Sequence, residues 1–173
     1  QFLSPEKSME IQLKLESDML MVLDECPPFG ANFEYIEKSL EMTSRWAERS
    51  KKYFEKYGES FRGEGLGKPL NFGIVQGGTF PELRKKSLSR LLEIGFDGFA
   101  LGGLAVGEPA KNRGKVISEI TPFMPEDKPR YLMGVGFPHE IVAAVLAGVD
   151  MFDCVLPTRN ARHGSAFVFK DRQ

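Results

Sequence analysis

Five stretches of the sequence place residues suited to holding a flat, hydrogen-bonding heterocycle. They are Asp24 ahead of Cys26-Pro27-Pro28, Gln76 ahead of Gly77-Gly78, the run Gly102-Gly103-Leu104, the pair Met133-Gly134, and Asp153 inside the otherwise apolar Met151–Val155. A carboxylate and a carboxamide accept and donate along a heterocycle's edge, glycines let backbone groups come close, and a thioether lies flat against a ring. Together these types describe a nucleobase pocket. Taken singly, each is better explained as a capping or turn residue, and only their convergence on one face favours the pocket.

Asp153 has no basic side chain within two positions, so a partly buried carboxylate is expected there, and it needs a role. Two remain open on the residues alone: an acceptor for loop amides, or a nucleophile that attacks an anomeric carbon, as in retaining glycosyl transfer. Immediately after it, Pro157–Gly164 reads as a polar turn holding Thr158, Arg159 and Arg162. Residues 157–173 carry four Lys or Arg against one Asp, a local patch of net +3 that suits RNA through the planar donor forks of arginine, or else is a solvated loop. The second cationic stretch, Arg45–Lys68, reads as an exposed helix face, and His139 as an ordinary residue at a helix start.

Residues this far apart in sequence meet only if the fold carries them to one place. Ser4-Pro5-Glu6 supplies a capping hydroxyl, a proline at the first helical position and an acid in the first turn, predicting a helix from Pro5 to about Glu16. The apolar run Met19–Leu23 predicts a strand that Pro27 and Pro28 terminate, leaving Asp24 at its exit. From Asn32, the residues Phe33, Ile36, Leu40, Thr43, Ala47 and Phe54 share one helical face. A glycine-rich loop over 58–69 then leads to a strand Leu70–Val75 with Gln76 at its exit. Helices are predicted over Pro81–Ile94, Ala110–Ile120 and Pro138–Leu146, alternating with strands Gly98–Leu101, Arg130–Met133 and Asp150–Val155.

Alternating strands and helices mean a parallel sheet covered by helices. No GxGxxG or P-loop follows any strand, and the unusual polar residues stand at the C-terminal ends of several strands, where (β/α)8 barrels build their sites. The expected fold is therefore α/β, of the (β/α)8 TIM-barrel type and incomplete, with about five βα units in 173 residues where a whole barrel takes about 250. A start at Gln1 instead of Met agrees with a piece of something longer. Such a piece, with two open sheet edges, is expected to self-associate and to be catalytically silent by itself.

Composition narrows the class. The chain is 42% apolar and 27% charged, ordinary for a globular domain, and 23 Lys and Arg against 24 Asp and Glu give a net charge of -1. That balance excludes a histone-like mode of nucleic-acid binding and leaves only a local patch. The longest apolar stretch, Ile141–Gly148, is far short of the ~20 residues that span a bilayer, and no signal pattern opens the chain, so a cytoplasmic protein without membrane partners is expected. Cys26 and Cys154 form no CxxC pair; they read as small buried residues, with neither a disulfide framework nor a zinc site.

At this point the motifs match a family. Asp24-Glu25-Cys26-Pro27, Phe72–Gly78 (FGIVQGG), Leu101–Glu108 (LGGLAVGE), Tyr131–Gly136 (YLMGVG) and the unbroken Asp150–Arg159 (DMFDCVLPTR) resemble the tRNA-guanine transglycosylases, or queuine tRNA-ribosyltransferases, across essentially the whole chain. The resemblance implies a modified TIM barrel that replaces guanine at the wobble position of GUN-anticodon tRNAs with a 7-deazaguanine, in queuosine biosynthesis. It implies that Asp153 is the nucleophile forming a covalent aspartyl-ribose, that Asp24 and Gln76 read the base edge, and that Gly103 and Leu104 contact the base through backbone. Met133 would be one side of a stacking sandwich, and Thr158, Arg159 and Arg162 would hold the anticodon loop. Ala105-Val106 and Cys26 look like the bacterial branch, whose incoming base is preQ1. Residues 1–173 would then be the central and C-terminal part of the catalytic barrel. The first barrel strands with a second aspartate, and a C-terminal segment binding a structural Zn2+, would lie outside the chain, with homodimerisation possible at full length. Two other readings stand beside this one: a non-catalytic tRNA-binding partner subunit, against which the intact Asp24 and Asp153 argue, and a generic barrel lyase or nucleosidase, which leaves Arg159 and Arg162 without a role.

Overall fold

Five parallel strands pair in sequence order in the computed structural model, which describes residues 2–61 and 63–168. They are β1 (Met19–Met21), β2 (Leu70–Val75), β3 (Gly98–Leu101), β4 (Arg130–Leu132) and β5 (Met151–Phe152). The registers Met19↔Leu70, Phe72↔Gly98, Phe99↔Arg130 and Tyr131↔Met151 carry the sheet from one edge to the other. A doubly wound sheet reverses its strand order at a switch point. Here every strand adds on the same side as the one before, the order of staves in a barrel, so the architecture is an incomplete TIM barrel of five strands. Six helices accompany it: α1 (Pro5–Lys14), α2 (Phe33–Tyr57), α3 (Pro81–Ile94), α4 (Ala110–Ile120), α5 (Pro138–Leu146) and α6 (Leu156–Arg162).

Local chemistry sets the helix starts. Ser4 accepts from the Lys7 N–H at 3.2 Å with Pro5 in the first turn, and Asn32 accepts from the Tyr35 N–H at 2.9 Å to open α2. The long α2 buries Ile36, Leu40, Thr43, Ala47 and Phe54 on one face. Residues 71–75 of β2 and all of β3 are buried, as parallel strands covered on both faces must be. The main core joins Ile74, Phe99, Leu101 and Leu132 from the sheet to Leu88, Leu91, Val116 and Ile120 from the helices. At the strands' N-terminal ends, Arg130 clamps three carbonyls, donating to Met124 (3.0 Å), Pro125 (3.1 Å) and Gly148 (3.2 Å).

Several expected boundaries move. α1 stops at Lys14, before Glu16, whose φ of 53° is left-handed. β1 stops at Met21 and β4 at Leu132. β5 is only Met151–Phe152, because β4 has already turned away at Gly134 (φ 76°) and its N–H is taken by the Asp153 carboxylate in place of a strand carbonyl. The expected polar turn at 157–164 is instead largely α6: Pro157 lies in the first turn, and the Arg159 N–H donates to the Val155 carbonyl at 2.8 Å.

Neither cysteine is the buried residue expected, since Cys26 is exposed and Cys154 half-buried. In the cationic stretch 45–68, Arg49 pairs with Glu6 across α1 and α2 at 2.7 Å, while Arg62 lies outside the described residues. Among the described residues no helix is long and apolar enough to cross a membrane.

Candidate functional site

Asp24 and Gln76 follow β1 and β2 and touch each other: the Gln76 Nε2 donates to Asp24 Oδ2 at 2.5 Å. Gln76 is only 1% exposed, and its own N–H donates to the Ser87 hydroxyl of α3 at 3.1 Å, which fixes where the carboxamide starts. Its Oε1 is buried with no hydrogen-bond partner among the described residues. An unpaired buried carbonyl costs roughly 1–3 kcal/mol, a penalty that a donating ligand would remove. Burial pushes the Asp24 carboxyl above the ordinary carboxylate value, and the Gln76 amide opposes that shift.

The two glycines after β3 pack against Ile74 and this carboxamide. A Cβ on Gly102 would lie 2.5 Å from Ile74 Cγ2 and 2.8 Å from Gln76 Nε2, and one on Gly103, at φ 62°, would lie 2.3 Å from Gln76 Oε1. Only glycine lets that backbone close over the amide. The following loop turns through Ala105, a left-handed alanine at φ 60°. Glu108 holds it, accepting from the Ala105 N–H at 2.6 Å, the Val106 N–H at 3.0 Å and the Arg113 guanidinium at 2.5 Å. Burial opposes ionisation of Glu108, but Arg113 and the backbone amides overcome it and keep its carboxyl below the ordinary range. Arg113 also bonds Glu140 on α5.

The second cluster spans β4 and β5. Asp153 Oδ1 accepts from the Tyr131 hydroxyl at 2.7 Å and from the Gly134 N–H at 2.8 Å. Both donors converge on one oxygen, and among the described residues Oδ2 has no partner. Contrary to the sequence expectation of partial burial, Asp153 is exposed, because β5 ends at Phe152 and leaves it on the rim. Burial and the Asp153 charge push the Tyr131 phenol above its ordinary value, so it remains a donor. Met133 is half-buried against the core, its N–H 3.4 Å from the Leu101 carbonyl, and stands between the two clusters because β4 lies between β3 and β5. All these residues lie at the C-terminal end of the sheet. No hydrogen bond joins the Asp24–Gln76 cluster to the Asp153 cluster among the described residues.

Arg159 and Arg162 are exposed in the last turn of α6, and neither pairs with a carboxylate among the described residues. Arg159 lines a cavity of about 350 Å³ with Gly134, Gly136 and Cys154, next to Asp153. The Thr158 hydroxyl donates to the Val155 carbonyl at 3.1 Å. Lys170, Asp171 and Arg172, the rest of the expected cationic patch, lie outside the described residues. His139 is exposed near the start of α5, its ring 5.9 Å from that of Phe137. The described residues contain no group of three or more His, Cys, Asp or Glu side chains placed to bind a metal ion.

Sequence reasoning missed Tyr131, Glu108 and Arg84. Tyr131 pairs in register with Met151, two residues before Asp153, so register alone brings the phenol to the carboxylate. Arg84, in the first turn of α3, is fully buried and carries no sequence signal that separates it from a surface helix arginine.

A family model described as queuine tRNA-ribosyltransferase matches residues 1–172. Proteins named queuine tRNA-ribosyltransferase are similar over 167 residues, 96% of this chain. The one from Actinobacillus succinogenes is 57% identical, that from Haemophilus influenzae 56%, and that from Pasteurella multocida 54%. The chain spans only about 42% of the length of these relatives. With a model match over nearly every residue and identity above one half, the chain belongs to the queuine tRNA-ribosyltransferase family.

Proposed function

We propose that this chain carries the base-exchange site of a bacterial-type tRNA-guanine transglycosylase. A guanine-like base offers N1–H and an exocyclic amine to Asp24, and its O6 accepts from Gln76 Nε2 and from the backbone of Gly103 and Leu104. Met133 covers one ring face. The incoming base is preQ1, in keeping with Ala105-Val106 and Cys26. Thr158, Arg159 and Arg162 hold the anticodon loop, where paired N–H forks suit phosphate and splayed bases, and the target base leaves its stack to enter the pocket.

The carrying observation is the dressing of Asp153: among the described residues, two donors on Oδ1 and none on Oδ2. Oδ2 attacks the ribose C1′ as the C1′–N9 bond breaks, and guanine leaves with the bonding pair. The aspartyl-ribose ester holds the tRNA until N9 of the new base displaces the carboxylate. The proton that N9 of the new base gives up balances the one guanine gains. Tyr131 and Gly134 hold the carboxylate in the orientation that displacement needs while leaving it exposed.

The test is a denaturing gel of the full-length protein containing this chain, mixed with substrate tRNA. The wild type gives a denaturant-resistant adduct and Asp153→Asn gives none. An adduct of equal yield in the variant would overturn the assignment.

A further inference from the structure

Arg84 is the least expected group in the molecule: a guanidinium with 0% exposure that no carboxylate touches among the described residues. Its donors go to four carbonyl oxygens on the exits of two strands. Nε donates to Gly78 at 2.7 Å and Nη1 to Val75 at 3.1 Å, both beside Gln76. Nη2 donates to Gly102 at 2.9 Å and Gly103 at 3.4 Å, both beyond β3. Burial lowers its pKa to about 10, so it is charged at neutral pH.

A charge is costly to bury, and here four carbonyl dipoles in direct contact, with the Glu108 charge nearby, offset that cost. The approach is tight. A Cβ on Gly77, at φ 137°, would lie 2.7 Å from the Arg84 nitrogen of the main chain, so Gly77 is what lets the loop close on the start of α3.

The carbonyls of Gly102 and Gly103 belong to the same peptide units as the N–H groups of Gly103 and Leu104. All peptide bonds among the described residues are trans, so each N–H points away from its carbonyl and hence away from the guanidinium. On that far side the Gly103 N–H lies close enough to the Cys26 thiol, two residues from Asp24, to oppose the larger upward push of burial on it. Bonding at a carbonyl also polarises the N–H of its peptide unit.

We infer that Arg84 is a positioning residue for base exchange: its fork sets the planes of the Gly102–Gly103 and Gly103–Leu104 peptides relative to Gln76, and so aims the backbone donors that meet the base. This rests on the base-exchange reading above. The fork reaches both walls of the pocket at once, which the single ammonium of a lysine does not do.

Arg130 is the internal control, a second arginine on three carbonyls at the opposite end of the strands. In the full-length protein, Arg84→Lys is expected to raise KM for guanine at least about tenfold while KM for tRNA stays within about twofold. Arg130→Lys is expected to lower the melting temperature and leave both KM values within about twofold. An unchanged guanine KM in Arg84→Lys, an equal rise in both KM values, or the same guanine shift in Arg130→Lys would overturn the inference.

Should Arg84→Lys fail to fold, side-chain 15N NMR of the wild type decides. Added guanine is expected to shift the Arg84 Nε–H signal and not that of Arg130, and a still Arg84 signal would overturn the inference. If the wild type neither exchanges nor binds guanine, the base-exchange reading itself falls. If it does both, and the Arg84 pattern is missing, only the present inference falls.

Discussion

The β1–β3 end of the site and the β4–β5 end each close on an aspartate, and the two are surrounded in opposite ways. Asp24 is half-buried, bonded to a fully buried carboxamide, with burial raising its proton affinity. Asp153 is exposed, one oxygen satisfied by a phenol and a backbone N–H and the other without a partner among the described residues. A buried acceptor with a fixed neighbour suits recognition, because a ligand that fails to pair with it leaves the full desolvation cost behind. An exposed carboxylate aimed by two donors suits reaction, because it is held in position and open to an incoming group. Position at a strand exit is common to both, and what differs is how far the flanking strands extend.

The largest effect expected from breaking this division is at Asp153. Asp153→Asn keeps the shape, and the rate of guanine exchange should fall by at least about 10⁴ while the melting temperature stays close to wild type, because nucleophile removal is not compensated by neighbouring groups. Substantial exchange in that variant would make Asp153 a structural acceptor.

The next effect is at Asp24. Asp24→Ala should weaken guanine binding by about 1–3 kcal/mol, a factor of roughly 5 to 150, measured by calorimetry. The pH dependence carries the sign. The folded-state pKa of Asp24 is raised, so its contribution to stability is full below the ordinary carboxylate value near 3.9 and is lost as pH rises through the raised value. Asp24→Asn should thus stabilise the fold at neutral pH while it weakens base binding. Loss of stability with unchanged base affinity would return Asp24 to a capping role.

Smaller still, Tyr131→Phe removes one of the two donors on Asp153 Oδ1 and should lower kcat about tenfold, in line with about 1.5 kcal/mol for a hydrogen bond to a charged group. Guanine affinity should not move, and if it did, the two ends of the site would not be separable. The smallest effect is expected at α6. Arg159→Glu should raise the tRNA Kd roughly fivefold and reduce the slope of log K against log salt by about 0.7–1, with free-base affinity unchanged. An unchanged slope would make Arg159 an ordinary solvated residue.

The parts of this division that the sequence announced are those decided locally. Asp24 and Gln76 are polar residues closing apolar runs just before proline or glycine, a placement visible without knowledge of any distant neighbour. β2 and β3 are apolar runs bounded by glycine, and they form where expected. The parts it hid are decided by a neighbour. β5 ends early because β4 turns at Gly134, and that early end, which no periodicity shows, is what leaves Asp153 exposed. Tyr131 carries no local sign of its contact, because only the register of its strand with Met151 brings the phenol to Asp153. Arg84 is buried only because Gly77 closes on the start of α3, a tertiary approach that a helix-start arginine does not advertise.

The separation of reader from nucleophile is tested most directly by trapping the adduct between the full-length protein and substrate tRNA, digesting both, and locating the ribose-bearing peptide by mass spectrometry. The account predicts one modified peptide, the one containing Asp153, with the peptide containing Asp24 unmodified. A ribose on the Asp24 peptide, or quantitative base exchange with no modified peptide, would contradict it.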